Sequence, residues 1–513
     1  MICYNILAIS LSLFTQSYHY CKAWPTSTSR ISNHNINVAI KTESQVFQRE
    51  IDLQINISRM NSIDLTYTRA NGQPYSDPAA TLRLGENGPL LLQDHHLIEN
   101  LAHFVRERIP ERVVHAKGAG AHGIFTVTTD FAKQHTMMDV FSEVGKKTPI
   151  SIRFSTVGGE QGSADEARDP RFRTQKGIWD LIMNNTPVFF IRDPAKFSTF
   201  IHTQKRNPRT HLKDPNMVWD YFGQNPEAMH QFLRLYSDAG TPKGFVHMNG
   251  FTGHSYRWVK ADGSWVYVKL LAETDQGIQN FTALEATKIV GKNPDYATSD
   301  LFTRIESGRF PSWTLYAQIL TPQEAEKFKY NNPENFFAEI EQLAFAPSNM
   351  VDGWEPSTDP VLQARLFSYP DAQRYRLGVN FQQLPVNCPM NPVANFQRDG
   401  RSVSLGNQGS RMGYISSFQS INVPSRSYDD SNHTIWTGGA IRSMSQISDI
   451  DFEQPRMYWN SLSEQDKRNL VMNLASSLSQ VKYQGVVFKA LQAFEKVEPA
   501  LSERISHQFP SPK

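Results

Sequence analysis

Apolar positions recur at helical spacing in two parts of the chain. After Asp94, Leu97 and Leu101 follow at intervals of three and four residues, which predicts a helix that stops before Pro110. A second apolar stripe with this spacing runs through residues 470–478. The pattern therefore predicts one helix on the approach to Pro110 and further helices at the C-terminal end.

Alternating apolar and polar positions predict strands between these helices. Residues 150–155 read Ile-Ser-Ile-Arg-Phe-Ser, which gives a strand one apolar and one polar face. Farther along, Asp262-Gly263 separates the runs Trp258–Ala261 and Ser264–Val268 and suits a tight hairpin turn. Loops rather than regular crossover helices connect the strands, so we expect an antiparallel sheet in an α+β fold.

A long segment from about residue 346 to 448 is rich in Pro, Asn, Gly and Ser and has one helical stretch, at about 362–378. Within that helix Arg365, Tyr369 and Arg376 fall four and seven residues apart and share a face. A guanidinium one turn from a phenol favours the phenolate, which is a strong oxygen ligand for ferric iron. The proline that follows Tyr369 predicts a kink at this point.

Composition and charge argue against several classes of function for this chain. The 513 residues are 39% hydrophobic and 20% charged with a net charge of +2, which is ordinary for a globular protein. No dense basic stripe points to nucleic acid, and no apolar run reaches the length of a membrane span. Cys3, Cys21 and Cys388 give neither a disulfide framework nor a metal-binding spacing. A metal would have to be held by other residues or by a cofactor.

Two motifs resemble signatures of one family. Arg-Leu-Phe-Ser-Tyr-Pro-Asp-Ala-Gln at 365–373 resembles the haem-ligand signature of the monofunctional haem catalases of small-subunit type. Ile-Pro-Glu-Arg-Val-Val-His-Ala-Lys-Gly-Ala-Gly at 109–120 is similar to their active-site signature. The similarity runs from about Tyr67 to Glu495. It implies an antiparallel eight-stranded β-barrel with an N-terminal arm, a wrapping segment and a C-terminal helical region, in a homotetramer.

The resemblance also implies a reaction, in which two molecules of hydrogen peroxide become two of water and one of dioxygen at haem b. Tyr369 would bind the iron, His115 would move the proton and Asn184 would steady the leaving water. Ser155 would hold the His115 ring. The residues that would bind the haem are Arg112, Val114, Arg153, Ser155, Phe197, Arg365, Tyr369 and Arg376. A haem peroxidase of organic substrates and an inactive haem-binding protein are the alternatives.

The chain departs from the family pattern at three places. Residues are missing after Arg171, and a strand and its connection are missing near Tyr330–Pro333. Met183 stands where a glycine is usual and would place bulk near the haem. A sheet that lacks a strand would expose an unpaired edge. Three explanations stay open: different closure of the barrel, an error in gene prediction or splicing, or an impaired protein.

A nucleotide site is the weakest part of the resemblance. His230, Ser237 and Asn249 match residues that bind NADPH in some catalases, but Ala239 and Glu273 replace basic residues. Fewer cations and an added carboxylate weaken attraction to a polyphosphate. We therefore predict that NADPH binding is weak or absent.

The predicted organisation has five parts and leaves the location open. These are a presequence or disordered arm at 1–59, an N-terminal arm with a helix at 60–114, the haem-binding barrel at 115–345, the wrapping segment at 346–448 and the helical region at 449–513. The resemblance implies a peroxisomal or cytoplasmic protein. Residues 6–14 are apolar enough for a signal-peptide core, so secretion is the alternative.

Overall fold

The computed structural model describes residues 4–10, 66–156, 160, 168–174, 177–325, 342–384, 386–404, 406–417 and 446–509. The chain divides into two compact units. One unit consists of Phe14–Ile109, and the other joins Met1–Leu13 to Pro110–Lys513.

The smaller unit contains the helix predicted before Pro110. It spans His95–Phe104, and Asp94 caps it by accepting a hydrogen bond from the Leu97 backbone N–H at 3.1 Å. A side-chain acceptor at this position satisfies one of the amide groups that the first turn leaves unpaired. The spacing of Leu97 and Leu101 therefore predicted this helix correctly.

The larger unit is built on a sheet in which the described strands pair in antiparallel fashion. The strands are β1 (Tyr4–Ser10), β2 (Gly118–Val127), β3 (Lys147–Ser155), β4 (Arg168–Thr174), β5 (Gly177–Asp180), β6 (Met183–Asn184), β7 (Gly250–Thr252), β8 (Tyr256–Val259), β9 (Trp265–Thr274), β10 (Ser312–Leu320) and β11 (Trp354–Pro356).

The strand order confirms the predicted α+β class with an antiparallel, barrel-like sheet. Its main path runs β11-β8-β9-β10-β1-β2-β3-β4-β5, and the short β6 and β7 join through β9. The described part of the sheet has 11 strands where eight were expected, because several are only two to four residues long. The Asp262-Gly263 turn links β8 and β9 as predicted, and Gly263 adopts a φ of 80° that suits glycine.

Strand β1 occupies a notable place in this order. Leu7 pairs with Leu315 of β10 on one side and with Val127 of β2 on the other. The gap expected near Tyr330–Pro333 lies outside the described residues. The segment Tyr4–Ser10 pairs with the edges of both β2 and β10, so neither edge is left open where β1 lies.

Strand β3 separates two environments. Ile150, Ile152 and Phe154 belong to the hydrophobic cluster of the sheet, which we call the sheet core. The alternate residues Ser151, Arg153 and Ser155 are polar but also buried. The prediction of one apolar and one polar face was correct, but the polar face does not contact solvent. It is the face that carries the candidate site.

The larger unit also contains helices. They span Phe197–Gln204, Pro215–Gln224, Met229–Tyr236, Ala283–Lys292, Tyr296–Glu306, Pro322–Ala325, Pro360–Leu377, Ile450–Ser461, Glu464–Leu478, Gln484–Val497 and Pro499–Ser506. Those of the C-terminal region pack with Trp219 and Phe222 in a second hydrophobic cluster, which we call the helix core. Ser463 caps Glu464–Leu478 by accepting from the Asp466 N–H at 3.1 Å.

The helix expected around Tyr369 spans Pro360–Leu377. Asp359 caps its start by accepting from the N–H groups of Val361 and Leu362 at 2.9 and 3.1 Å. Gly378, with a φ of 97°, follows its last residue. Pro370 lies inside the helix, so its missing N–H does not end the helix.

Among the residues that the structure describes, no helix combines the length and apolarity needed to cross a membrane.

Candidate active site

The first part of the site is a phenol and a guanidinium one helical turn apart. Arg365 donates a short hydrogen bond from Nη2 to the Tyr369 hydroxyl, and its Cζ lies 4.8 Å from the centre of the Tyr369 ring. Arg365 is buried and Tyr369 is half-buried. The positive charge stabilises an ionised phenol oxygen, as the spacing predicted.

Two residues that the sequence did not single out extend this pair. Nη1 of Arg365 lies 2.5 Å from Nε2 of His254, and Nδ1 of His254 lies 3.2 Å from Oδ2 of Asp359. His254 is fully buried, which lowers its pKa to about 4 although Asp359 opposes the shift. A neutral ring can accept from Arg365 and donate to Asp359. We call Tyr369, Arg365, His254 and Asp359 the phenol cluster.

The second part of the site surrounds His115, which is buried in the turn before β2. Its Nδ1 lies 3.2 Å from Oγ of Ser155 on β3, as the resemblance implied. Nη2 of Arg153 donates to the His115 carbonyl at 3.0 Å. His115 has a φ of 59°, which is costly for a residue with a side chain. We call His115, Ser155 and Arg153 the histidine cluster.

The electrostatics of the site keep His115 neutral. Burial is the largest cause that lowers its pKa well below the ordinary value, and the charges of Arg153, Arg365 and Arg112 lower it further. This influence of three guanidinium groups also shows that the phenol and histidine clusters share one electrostatic environment. A neutral imidazole is the form that can accept a proton.

Two further predicted arginines are buried at the same site. Nη2 of Arg112 donates to the Leu343 carbonyl at 2.8 Å. Arg376 donates from Nε to the Pro110 carbonyl at 3.1 Å and from Nη1 to Gln373 at 2.7 Å. Buried guanidinium groups are costly unless anions or oxygen acceptors surround them. Their concentration here suits a ligand that carries carboxylates.

Apolar predicted residues meet beside the phenol. Val114, Phe197 and Tyr369 all belong to or pack against the helix core. The ring centre of Phe197 lies 6.2 Å from that of Phe190, so the helix core contains an aromatic wall. A tyrosine oxygen, an apolar wall and several buried cations form a set that fits an iron porphyrin with two propionates. The residues present therefore fit haem.

Asn184 lies at the end of the stretch 181–184. Leu181 and Met183 belong to the sheet core, whereas Ile182 belongs to the helix core. Because side chains alternate along an extended chain, Asn184 is on the same side of the chain as Ile182. No described hydrogen bond joins Asn184 directly to His115; its side chain bonds to Thr186 and to the Asn185 N–H.

The same alternation places the Met183 side chain in the sheet core, where it contacts Gly250 of β7. A Cβ on Gly250 would lie only 3.3 Å from the Met183 sulfur. The glycine therefore supplies space for the methionine within the sheet core, and the expected bulk near the haem stays a prediction.

The residues compared with an NADPH site are engaged within the chain. Nδ1 of His230 lies 3.1 Å from Gln454, and Arg234 donates to its Nε2 at 3.0 Å. Burial and Arg234 lower the His230 pKa to about 4, so its ring carries no charge near neutral pH. Ser237 lies 2.7 Å from the Tyr458 hydroxyl, and Asn249 accepts from the Thr274 N–H.

Comparison with known proteins decides the family. The catalase family model matches residues 68–332 and 330–420, and a model described as catalase-related immune-responsive matches 446–509. The chain belongs to the catalase family. The first of these models breaks at 330–332, where the sequence analysis placed its second gap.

The matches with known catalases extend over most of this chain and over nearly the full length of each relative. A catalase of Schizosaccharomyces pombe is 48% identical over 87% of this chain and 94% of its own length. A peroxisomal catalase of Candida albicans is 48% identical over 80% of this chain and 91% of its own. The solved structure of catalase A from Saccharomyces cerevisiae has a TM-score of 0.82 and 43% identity, and the match covers 86% of this chain and 99% of that one.

Proposed function

We propose that this chain decomposes hydrogen peroxide to water and dioxygen at a haem b whose iron is bound by Tyr369. The observation that carries the proposal is the pairing of a buried Arg365 with the Tyr369 hydroxyl in the environment that holds His115 neutral. The two curated relatives described above are both named as catalases. When bound, haem supplies an iron centre that takes electrons from one peroxide and gives them to another.

In this proposal His115 moves the proton between the two oxygens of peroxide. The Nδ1–H donates to Ser155, which leaves the lone pair of Nε2 to take the proton from one oxygen and return it to the other. Arg153 fixes the backbone of His115 in its strained conformation and so fixes where the ring lies. Asn184 donates a hydrogen bond to peroxide.

The phenol cluster would supply the oxygen that binds the iron. Arg365 keeps the Tyr369 oxygen anionic, and His254 with Asp359 orients Arg365. Arg112, Arg153 and Arg376 would pair with the haem propionates. The histidine cluster favours catalase over an inactive haem-binding protein, because haem binding alone would not need a buried histidine held by Ser155.

The test is oxygen release from hydrogen peroxide by the purified, haem-loaded protein. We expect Tyr369→Phe and His115→Ala each to lower the rate by roughly 10²-fold to 10⁴-fold. Tyr375→Phe on the same helix, and His211→Ala at another histidine with positive φ, are the matched controls because both side chains are exposed. A normal haem spectrum without oxygen release by the wild type would contradict the proposal and favour the peroxidase or the inactive protein.

We also infer a homotetramer, located in the peroxisome or the cytoplasm. Phe367, Tyr375 and Val379 are large apolar residues that are exposed on or just after the Tyr369 helix, which supports burial against another subunit. Two of the relatives, from Candida albicans and Candida tropicalis, are named as peroxisomal. Secretion through the N-terminal segment remains the alternative.

NADPH binds weakly or not at all in this proposal. Ala239 supplies no charge, Glu273 is an exposed carboxylate on β9, and His230 is neutral and bonded to Gln454 and Arg234. We expect calorimetry to give a dissociation constant at least tenfold weaker for the wild type than for an Ala239→Arg, Glu273→Lys variant, because the variant restores two cations. Tight binding by the wild type would refute this.

A further inference from the structure

We infer that Thr186 and Gln231 are positioning residues that fix the orientation of the Asn184 side-chain amide, so that its remaining N–H donates a hydrogen bond to peroxide. The inference rests on the proposed function of Asn184 and extends it to two residues that make the amide usable. We call Asn184, Thr186 and Gln231 the amide chain.

The first step is the orientation of the Asn184 amide. The backbone N–H of Asn185 donates to Oδ1 of Asn184 at 3.0 Å. Rotating the amide by half a turn would put the NH₂ group against this N–H, so two donors would face each other. The oxygen of Asn184 is therefore committed to the backbone.

The second step is the direction of the remaining hydrogen bonds. Nδ2 of Asn184 donates to Oγ1 of Thr186 at 2.9 Å, and Thr186 Oγ1 lies 2.9 Å from Oε1 of Gln231. A hydroxyl has one hydrogen, and Gln231 Oε1 and the Val188 carbonyl at 3.2 Å are its two acceptors. Thr186 therefore accepts from Asn184 and donates onward, with Gln231 at the shorter distance.

The third step is burial. The exposed fractions of Asn184, Thr186 and Gln231 are 5%, 2% and 4%. Solvent cannot readily replace a lost partner at such depth, and an unsatisfied buried polar group costs more than an exposed one. The chain runs from the end of β6 to the helix Met229–Tyr236, so it ties the Asn184 loop to a packed helix.

The chemical result is an amide N–H with a fixed direction. One Nδ2 hydrogen goes to Thr186 and the Asn185 N–H holds the oxygen in place, so the second Nδ2 hydrogen is the donor that the amide offers a ligand. Such a group can stabilise a peroxide oxygen that gains negative charge but cannot compete with His115 for the peroxide proton. This division of labour requires Thr186 to stay an acceptor toward Asn184.

The test compares Thr186→Val, which keeps the shape and removes the hydroxyl, with Thr186→Ser, which keeps the hydroxyl. We expect Thr186→Val to lower oxygen release about tenfold, the loss of one buried hydrogen bond, and Thr186→Ser to stay within about twofold of the wild type. Gln231→Leu should follow Thr186→Val with a smaller loss. Thr252→Val is the matched control, since Thr252 is also buried but bonds only to the Leu270 backbone.

A double-mutant cycle separates positioning from general structural support. In an Asn184→Ala background Thr186→Val should cause no further loss, because the amide that it positions is gone. Equal losses in both backgrounds would overturn the inference, as would a Thr186→Val variant with wild-type activity.

A readout independent of turnover is the crystal structure of Thr186→Val. It should show the Asn184 amide rotated away from its present orientation. An unchanged amide would overturn the inference even if the wild type releases no oxygen. The failure of the proposed function and the failure of the amide chain are therefore distinguishable.

Discussion

The two clusters of the candidate site are built in opposite ways. In the phenol cluster Arg365 and Tyr369 lie on one helix, and their separation of four residues alone brings the guanidinium to the phenol. In the histidine cluster His115 lies in a turn, and Ser155 reaches it from β3. The first geometry needs one helix, whereas the second exists only after β2 and β3 pair with Gly118 opposite Ser155.

The backbone conformations of the two clusters also differ: one is a regular helix and the other is strained. The Tyr369 helix is capped at its start by Asp359 and tolerates an internal proline. His115, in contrast, has a positive φ and a carbonyl held by Arg153. Strain of this kind persists only where the surrounding structure enforces it. We therefore expect the phenol cluster to lose its function when a charge is removed. The histidine cluster should lose its function when the backbone or the position of the His115 ring changes.

The largest expected effect that would sharpen this comparison is loss of the Arg365 charge. Arg365→Met keeps much of the side-chain volume but removes the cation that stabilises the phenolate, and we expect oxygen release to fall about 10²-fold. The haem spectrum should change at the same time. Arg304→Met is the matched control. Arg304 pairs with Asp300 one turn away on the helix Tyr296–Glu306, which carries no residue of the candidate site.

Equal behaviour of the Arg365 and Arg304 variants would break the comparison. It would mean that a guanidinium one turn from its partner contributes nothing specific to the phenol cluster. A loss of activity with an unchanged spectrum would place the effect outside the ligand oxygen.

A smaller expected effect is the dependence of folding stability on pH. The native pKa of His254 is about 4, whereas the unfolded chain binds this proton below about 6.5. Between these values the unfolded state holds more protons, so stability falls as pH falls. The His254 shift changes the free energy of unfolding by at most about 3 kcal/mol. The lowered pKa values of His115 and His230 also reduce stability as pH falls.

Calorimetry at pH 7.5 and pH 5 measures this response. We expect the melting temperature of the wild type to fall at pH 5 and that of His254→Asn to fall less, although the variant starts lower because Arg365 loses an acceptor. His507→Asn, at an exposed position, should behave like the wild type. An equal fall in the His254 variant would show that the proton bound on unfolding belongs to other residues.

Sequence alone predicted the part of the site that depends on local spacing. The Arg365–Tyr369 pair and the Asp262-Gly263 hairpin follow from periodicities that a single helix or turn obeys. The Ser155–His115 contact came instead from the family resemblance, because no local rule joins residues on different elements. The catalase family match then confirmed the family.

The residues that were missed share a physical reason. His254 and Gln231 join the site through contacts with Arg365 and Thr186 that lie far along the chain. Neither has a spacing that marks it, and a histidine after a strand or a glutamine on a helix is ordinary. The surroundings of Met183 were hidden for the same reason, since only the strand pairing puts Thr252 opposite it and brings Gly250 into contact with its side chain.

The position of β1 sets a condition on how the molecule folds. This strand precedes the other described strands in the chain, yet it pairs with β2 and with β10, which lie roughly one hundred and three hundred residues farther along. During synthesis it would wait without its second neighbour until β10 is complete. Contacts of such long range slow folding and leave strands exposed to wrong partners. Closing this sheet is therefore a late event, and the N terminus takes part in it.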